Sequence, residues 1–426
     1  MKIERFEWDG AVPPALAAKL RALQPPAHGV AEDVAGILAE VERGGDKALR
    51  DVSARLGAKP PRDLPVPGAE IRAAVERLEP ELLNALQIAA ANVRAVAQAQ
   101  PPAQHQVTLE QGQQVELREL PVASAGIYAP GGTAFYPSSV IMGCVPAKVA
   151  GVRRVVVVSP PASDGSLSDV VLAAAAIGGA DHVYAIGGAQ AIAALALGTE
   201  SISPVDVVAG PGNRYVQEAK RQLIGRVGID GIAGPSELMV IAGEASDTEL
   251  VALDLCAQGE HGAEGLLVAV AVESALLDRV EERVSALAAA HRTVADAPLA
   301  LVAAPDTAAA VALAQALAPE HLEILTEDAE QLAAGLSTAG AIFLGENGAA
   351  AFGDYIVGSN HVLPTGGAGR FQGPLGPGVF RRRISTVKMP LDAAVALADP
   401  AATLAQAEGF PVHGESMKAR AAKEKT

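Results

Sequence analysis

RRVVVVSPP (153–161), LSDVVLAAAAIGGA (167–180), HVYAIGG (182–188) and AQAIAALALG (189–198) follow one another with almost no linker between them. The first and third are short apolar runs bounded by turn residues. The second and fourth are longer, alanine-rich and closed by glycine. Strand, helix, strand, helix at this spacing argues for a parallel sheet with helices on its faces. The pattern extends both ways. Upstream, VASAGIYAP (122–130) is a strand running into Gly131 and Gly132, with a helix near SSVIMGCVPAKVAG (138–151). Downstream, PVDVVAGPGN (204–213) is a strand and loop, and RYVQEAKRQLIG (214–225) a helix.

A second alternating region opens at SELMVIA (236–242). It runs through a helix at 246–258, the strand GLLVAVAV (265–272), a helix at 273–291, LALVAA (299–304), LEILT (322–326) and AIFLGE (341–346). Two α/β lobes are the simplest architecture. Residues up to about 100 read as helices: 29–57, broken at Gly44 and Gly45, and 69–102, stopped by Pro101 and Pro102. Beyond about Gly376 the chain reads as a separate tail. Its two helices, PLDAAVALADP (390–400) and AATLAQAEG (401–409), are too few for a core of their own. The basic KARAAKEKT (418–426) reads as a solvated helix end.

The composition agrees. Half of the 426 residues are hydrophobic and 3% are aromatic, so the cores must be built from Ala, Val, Leu and Ile. The formal charge of −16 repels phosphate backbones and makes nucleic acid an unsuitable partner. Two cysteines, no apolar leader in MKIERFEWDG and no apolar run near the ~20 residues of a membrane helix point to a cytoplasmic protein that does not engage a membrane. Cys256, inside an apolar helix without an obvious basic neighbour, reads as core packing.

Four of the eight histidines stand in short polar stretches of the second half: His261, His321, His361 and His413. Imidazole binds zinc readily and carries a proton near neutral pH. Ser246 and Glu249 have capping-box spacing, and Gln258 and His261 lie three apart at that helix's end, able to share a metal ion. A lone histidine there also serves as a simple dipole cap. Glu320 directly precedes His321, and such a pair can divide labour between activating water and removing an alcohol proton. Asp354 and His361 share a glycine-rich loop, and Glu408 precedes His413 by five residues. The loops APGGT (129–133), IGGAQ (186–190) and AGPGN (209–213) lack G-x-G-x-x-G, yet each follows a strand, where backbone N–H groups suit a pyrophosphate or carboxylate. Tyr128, Gln190 and Asn213 lie on or beside them.

In order along the chain, GIYAPGGTAFYPSSV (126–140), GGAQAIAALALGTES (187–201), VAGPGNRYVQEAKRQ (208–222), GIAGPSE (231–237), AQGEHG (257–262), PEHL (319–322), GDYIVGSNHVLPT (353–365) and EGFPVHG (408–414) resemble the histidinol dehydrogenase family. The resemblance implies an α/β fold of two incomplete Rossmann-like lobes with parallel sheets, plus an N-terminal helical arm and a C-terminal helical tail, in an intertwined homodimer. It divides the chain into an arm (1–23), a first lobe (24–127 and 237–375), a second, NAD-contacting lobe (128–236) and a tail (376–426) that completes the partner subunit's site. It implies oxidation of L-histidinol to L-histidine through the aldehyde, with two NAD. Gln258, His261, Asp354 and His413 would hold one Zn²⁺. Glu320 would activate water and His321 act as base. Ser236, His361 and Glu408 would contact substrate, and Tyr128, Gln190 and Asn213 would touch NAD. Two other readings stand beside this one: a relative oxidising other small polyols, and a non-catalytic NAD or metabolite sensor.

Overall fold

The computed structural model describes residues 1–25, 29–57, 63–131 and 135–422; Gly132, Thr133 and the last four residues of the basic tail lie outside them. The chain forms two compact units, Met1–Ala99 with Ala123–Phe380, and Gln100–Val122 with Arg381 onward. With strands numbered along the chain, the first unit holds two parallel sheets. One has the order β1 (Lys2–Glu7), β11 (Pro298–Ala303), β10 (Leu266–Ala271), β9 (Glu237–Ala242), β12 (His321–Leu325), β13 (Ala341–Leu344). The other has the order β6 (His182–Ala185), β5 (Arg154–Ser159), β4 (Ser124–Tyr128), β7 (Val207–Ala209), β8 (Gly228–Ile229).

Both sheets are covered on their two faces, which is why their central strands carry no polar alternation. Val155, Val156, Val157 and Val158 of β5 are all fully buried. With so few aromatics, helices approach the sheets closely. A Cβ on Gly143, in the helix Pro137–Ala150, would collide with Ile127 of β4.

The helices of the first hundred residues form as expected, including the break at Gly45, whose φ of 52° interrupts Ala31–Arg55. The stretch 69–102 divides into Gly68–Arg77 and Pro80–Gln98, because Pro80 starts a new helix at its first position. The all-helical reading fails at β1. KIERFE pairs in parallel with β11, and the helix Pro13–Arg21 buries Leu16, Ala17 and Leu20 against Leu313, Ala314 and Leu317. The anticipated Ser246–Glu249 capping box is also absent. Asp247 caps the helix Thr248–Gly259 by accepting from Glu249 N–H at 2.7 Å, while Ser246 Oγ donates to Leu325 O at 2.6 Å. Glu249 pairs with Arg283 instead. Cys256 is packed in the core with Leu255 and Val284.

The second unit is an antiparallel sheet, β14 (Arg381–Lys388), β3 (Gln114–Pro121), β2 (Gln104–Thr108), with two helices after it. The segments read as separate tail helices form one, Leu391–Ala407, which continues through Pro400, and a second helix spans Pro411–Ala421. Among the described residues, no helix is long and apolar enough to cross a membrane.

Candidate active site

β9 and β12 are neighbours in parallel register, His321 beside Leu238. Their amino ends carry Ser236, Glu237, Glu320 and His321. The backbone of Glu237 holds both members of the Glu–His pair. Its N–H donates to Glu320 Oε2 at 2.8 Å, and its carbonyl accepts from His321 Nδ1 at 3.1 Å. A carbonyl can only accept, so Nδ1 carries hydrogen and Nε2 is the nitrogen left to react. His321 Nε2 is buried without a hydrogen-bond partner. Glu320 Oε2 lies 3.5 Å from Nδ1, and Asp354 Oδ1 lies 3.6 Å from Nε2. Burial opposes charge on this ring, but Glu320 and Asp354 outweigh it and push the imidazole up to about 10.

Asp354 sits on the short helix Ala350–Tyr355 and faces a second imidazole, with His261 Nε2 at 3.4 Å from Oδ2. Although burial disfavours its charge, the two histidines hold its carboxyl well below the usual range; Asp354 in turn raises His261. Gln258, at the end of Thr248–Gly259, is buried, and its Nε2 has no partner. Asp254, Gln258, His261 and Asp354 line a cavity of about 580 Å³ whose other walls include Leu86 and Ile141. His361 donates from Nδ1 to the Asp354 carbonyl at 2.7 Å, and its Nε2 lies 3.1 Å from Ser139 Oγ. Burial lowers this histidine and favours the neutral ring, in which Nε2 accepts from the serine.

Six expected residues therefore come together: Gln258, His261, Glu320, His321, Asp354 and His361. Ser236 immediately precedes Glu237, whose backbone holds the Glu320–His321 pair. Glu408 and His413 belong to the second unit, where both are exposed and the His413 ring lies 5.4 Å from that of Phe410. Tyr128, Gln190 and Asn213 stand at carboxyl ends of the five-stranded sheet. Tyr128 is buried, its hydroxyl accepting from Gly188 N–H at 3.2 Å. Gln190 is buried and donates to Ser53 Oγ at 3.2 Å. Asn213 caps Arg214–Gln222, accepting from Tyr215 and Val216 N–H.

The donors present fit a zinc ion in kind: an imidazole and a carboxylate already paired, with a buried amide alongside. Among the described residues, no three or more His, Cys, Asp or Glu side chains are by themselves arranged to hold a metal. A metal site here would need the Gln258 amide and a further ligand.

The sequence reading missed Asp254, Glu323, Ser139, Glu237 and Arg21. Glu323 is fully buried in the middle of β12 and accepts Ala350 N–H at 2.6 Å through Oε1, while its buried Oε2 has no hydrogen-bond partner and Asp254 raises its pKa. A carboxylate inside an apolar parallel strand was the available signal. Burial first, and the Asp254 charge next, push Glu323 up to about 8, with Asp254 up to about 6. The two titrate as a pair that retains a proton.

The family profile of histidinol dehydrogenase matches residues 23–421. The chain belongs to the histidinol dehydrogenase family. Among relatives bearing that name, one from Rhodospirillum rubrum is 43% identical over 419 residues, 96% of each chain. Another from Cereibacter sphaeroides is 45% identical over 397 residues, 91% of each. The crystal structure of histidinol dehydrogenase from Elizabethkingia anophelis matches with a TM-score of 0.89 at 29% identity, covering 99% of this chain and 98% of that one. The sequence motifs and the two-sheet fold thus agree on one oxidoreductase family.

Proposed function

We propose that the protein oxidises L-histidinol to L-histidine through the aldehyde, with two NAD in succession and one zinc ion per subunit, the last step of histidine biosynthesis. The observation that carries this reading is the Glu320–His321 pair set against Asp354 and His261 beside a cavity of about 580 Å³, ample for a small amino alcohol. Gln258, His261, Asp354 and His413 of a second copy would hold the zinc, which when bound supplies a Lewis acid and a template for an imidazole-bearing amino alcohol.

The protein's own groups do the rest. His321, fixed through Nδ1, presents Nε2 to the alcohol proton in each oxidation. Glu320, held through one carboxylate oxygen, takes a proton from the water that hydrates the aldehyde. Ser236, His361 and Glu408 contact substrate. Tyr128, Gln190 and Asn213 place NAD at the carboxyl edge of the five-stranded sheet.

The test is stoichiometry. Histidinol should yield about two NADH per molecule, because alcohol to acid is a four-electron change, while other small diols yield none. One NADH with aldehyde accumulating would overturn the reading, as would a preference for another diol. Chelation should abolish turnover and leave the far-ultraviolet dichroism nearly unchanged; full activity of metal-free protein would remove zinc from the scheme.

A further inference from the structure

Arg21 ends the helix Pro13–Arg21, far in sequence from the catalytic pair. Its Nη1 donates to Glu237 Oε1 at 2.5 Å and its Nη2 to Oε2 at 3.3 Å. The same Nη2 donates to the Leu317 carbonyl at 2.5 Å and lies 3.5 Å from that of Ala318. Ala318 has φ 50° and ψ 62°, the left-handed region that a residue with a Cβ seldom adopts, and it leads through Pro319 directly into Glu320 and His321. Glu237 is buried, and its Oε1 also accepts from Gly366 N–H at 3.1 Å. One guanidinium therefore touches both segments that fix the catalytic pair: the start of β9, whose backbone bonds Glu320 and His321, and the turn that launches β12, which carries them.

We propose that Arg21 is a positioning residue for the Glu320–His321 pair, acting through the Glu237 carboxylate and the Leu317–Ala318 carbonyls to fix the backbone that holds Glu320 and Nδ1 of His321. The claim rests on the functional reading above, which assigns those two residues the chemistry. A planar fork can satisfy a carboxylate and a neighbouring carbonyl together, whereas an ammonium reaches them only one at a time. Burial works against charge on Glu237, so without Arg21 the carboxyl would protonate or swing away, and the strand end would lose its anchor.

The experiment compares Arg21→Met, Arg21→Lys and Glu237→Gln in the full chain. Misplacement of reacting groups by an ångström costs on the order of 100-fold, so Arg21→Met should lower kcat on histidinol by about 10–100-fold. KM for histidinol and NAD should stay within about threefold, and Arg21→Lys should recover part of the loss. The second readout is the hydrogen-bonded Nδ1–H proton of His321 in ¹⁵N-histidine-labelled protein, identified by its disappearance in His321→Asn. It should broaden into exchange in Arg21→Met and persist in Arg21→Lys. Should Arg21→Met fail to fold, the near-isosteric Glu237→Gln carries the same test, with a smaller loss confined to kcat. Unchanged kcat overturns the proposal, and so does a fall in kcat with the Nδ1–H resonance unmoved, the signature of general destabilisation. If His321→Asn keeps full turnover, the functional reading fails instead, and the resonance alone decides whether Arg21 holds the ring.

Discussion

His321 is held by two opposing demands. As the base proposed above it would have to offer Nε2 unprotonated, yet Glu320 and Asp354 together favour the charged ring well above neutral pH. Any interaction that takes up the charge on Asp354 moves the ring towards neutrality. In the proposed reaction Glu320 meets a different demand, since only the second oxidation would need water. Glu320→Gln should therefore slow oxidation of supplied histidinal at least tenfold more than the first hydride transfer, whereas His321→Asn should impair both by 100-fold or more, by order-of-magnitude analogy with other general bases. Single-turnover NADH formation from each substrate separates the cases, and equal losses for Glu320→Gln would contradict the division. Behind this pair, Glu323 and Asp254 both titrate above the ordinary carboxyl range, so between about pH 4 and pH 8 these two groups bind more protons in the folded protein than in the unfolded chain. The stability they contribute is present at the acid end and drains as the pH rises. Glu323→Gln, which keeps an acceptor for Ala350 N–H, should remove that slope. Relative to the variant, the parent should lose on the order of 2 kcal/mol between about pH 5 and pH 8.5. Parallel pH–stability curves from denaturant titration would refute the shared proton. The histidines and Asp354 were legible because polar residues in glycine-rich loops stand out. Arg21 and Glu237 were not, because their role lies in contacts spanning 216 residues that no local pattern records.

At the scale of elements, what could be read depended on burial. β4, β5, β9 and β10 are enclosed on both sides, so they appear as apolar runs closed by turns. β1 is an edge strand in which only Ile3 and Phe6 are apolar, and its sequence looks like the start of a helical arm. β2 is exposed throughout and β14 nearly so; the pairing of RRRISTVK with QVELRELP leaves no hydrophobic signature. The loop after β7 offers a test at this scale. Asn213 caps the following helix, so Asn213→Ala should cost about 1 kcal/mol. Asp caps as well as Asn, so Asn213→Asp should preserve stability. Its added charge would repel the pyrophosphate and raise KM for NAD several-fold. If Asn213→Asp keeps wild-type stability and wild-type KM for NAD, Asn213 serves the helix alone and the cofactor lies elsewhere.

The whole molecule poses the question of where Glu408 and His413 act. The two tail helices bury little beyond Ala393, Ala398, Ala402, Ala405 and Gly414, and Val395, Leu404, Phe410 and Val412 remain exposed. Exposed apolar side chains on so small a unit are candidates for cover by another surface. The dimer proposed above, in which each tail completes the other subunit's site, would provide one, and its His413 would join Gln258, His261 and Asp354 as the fourth zinc ligand. Intersubunit complementation follows. His413→Asn and His321→Asn chains should each be nearly inactive as homodimers. In the mixed dimer one site would carry both defects and the other would be intact. Co-refolding equal amounts gives about half mixed dimers by random pairing, each with one good site, so activity should return to about a quarter of the wild-type value. If each tail instead folds back on its own chain, every site keeps one defect and no activity returns. Mixed dimers confirmed by native mass spectrometry that stay inactive would therefore place His413 in its own subunit's site, or in none.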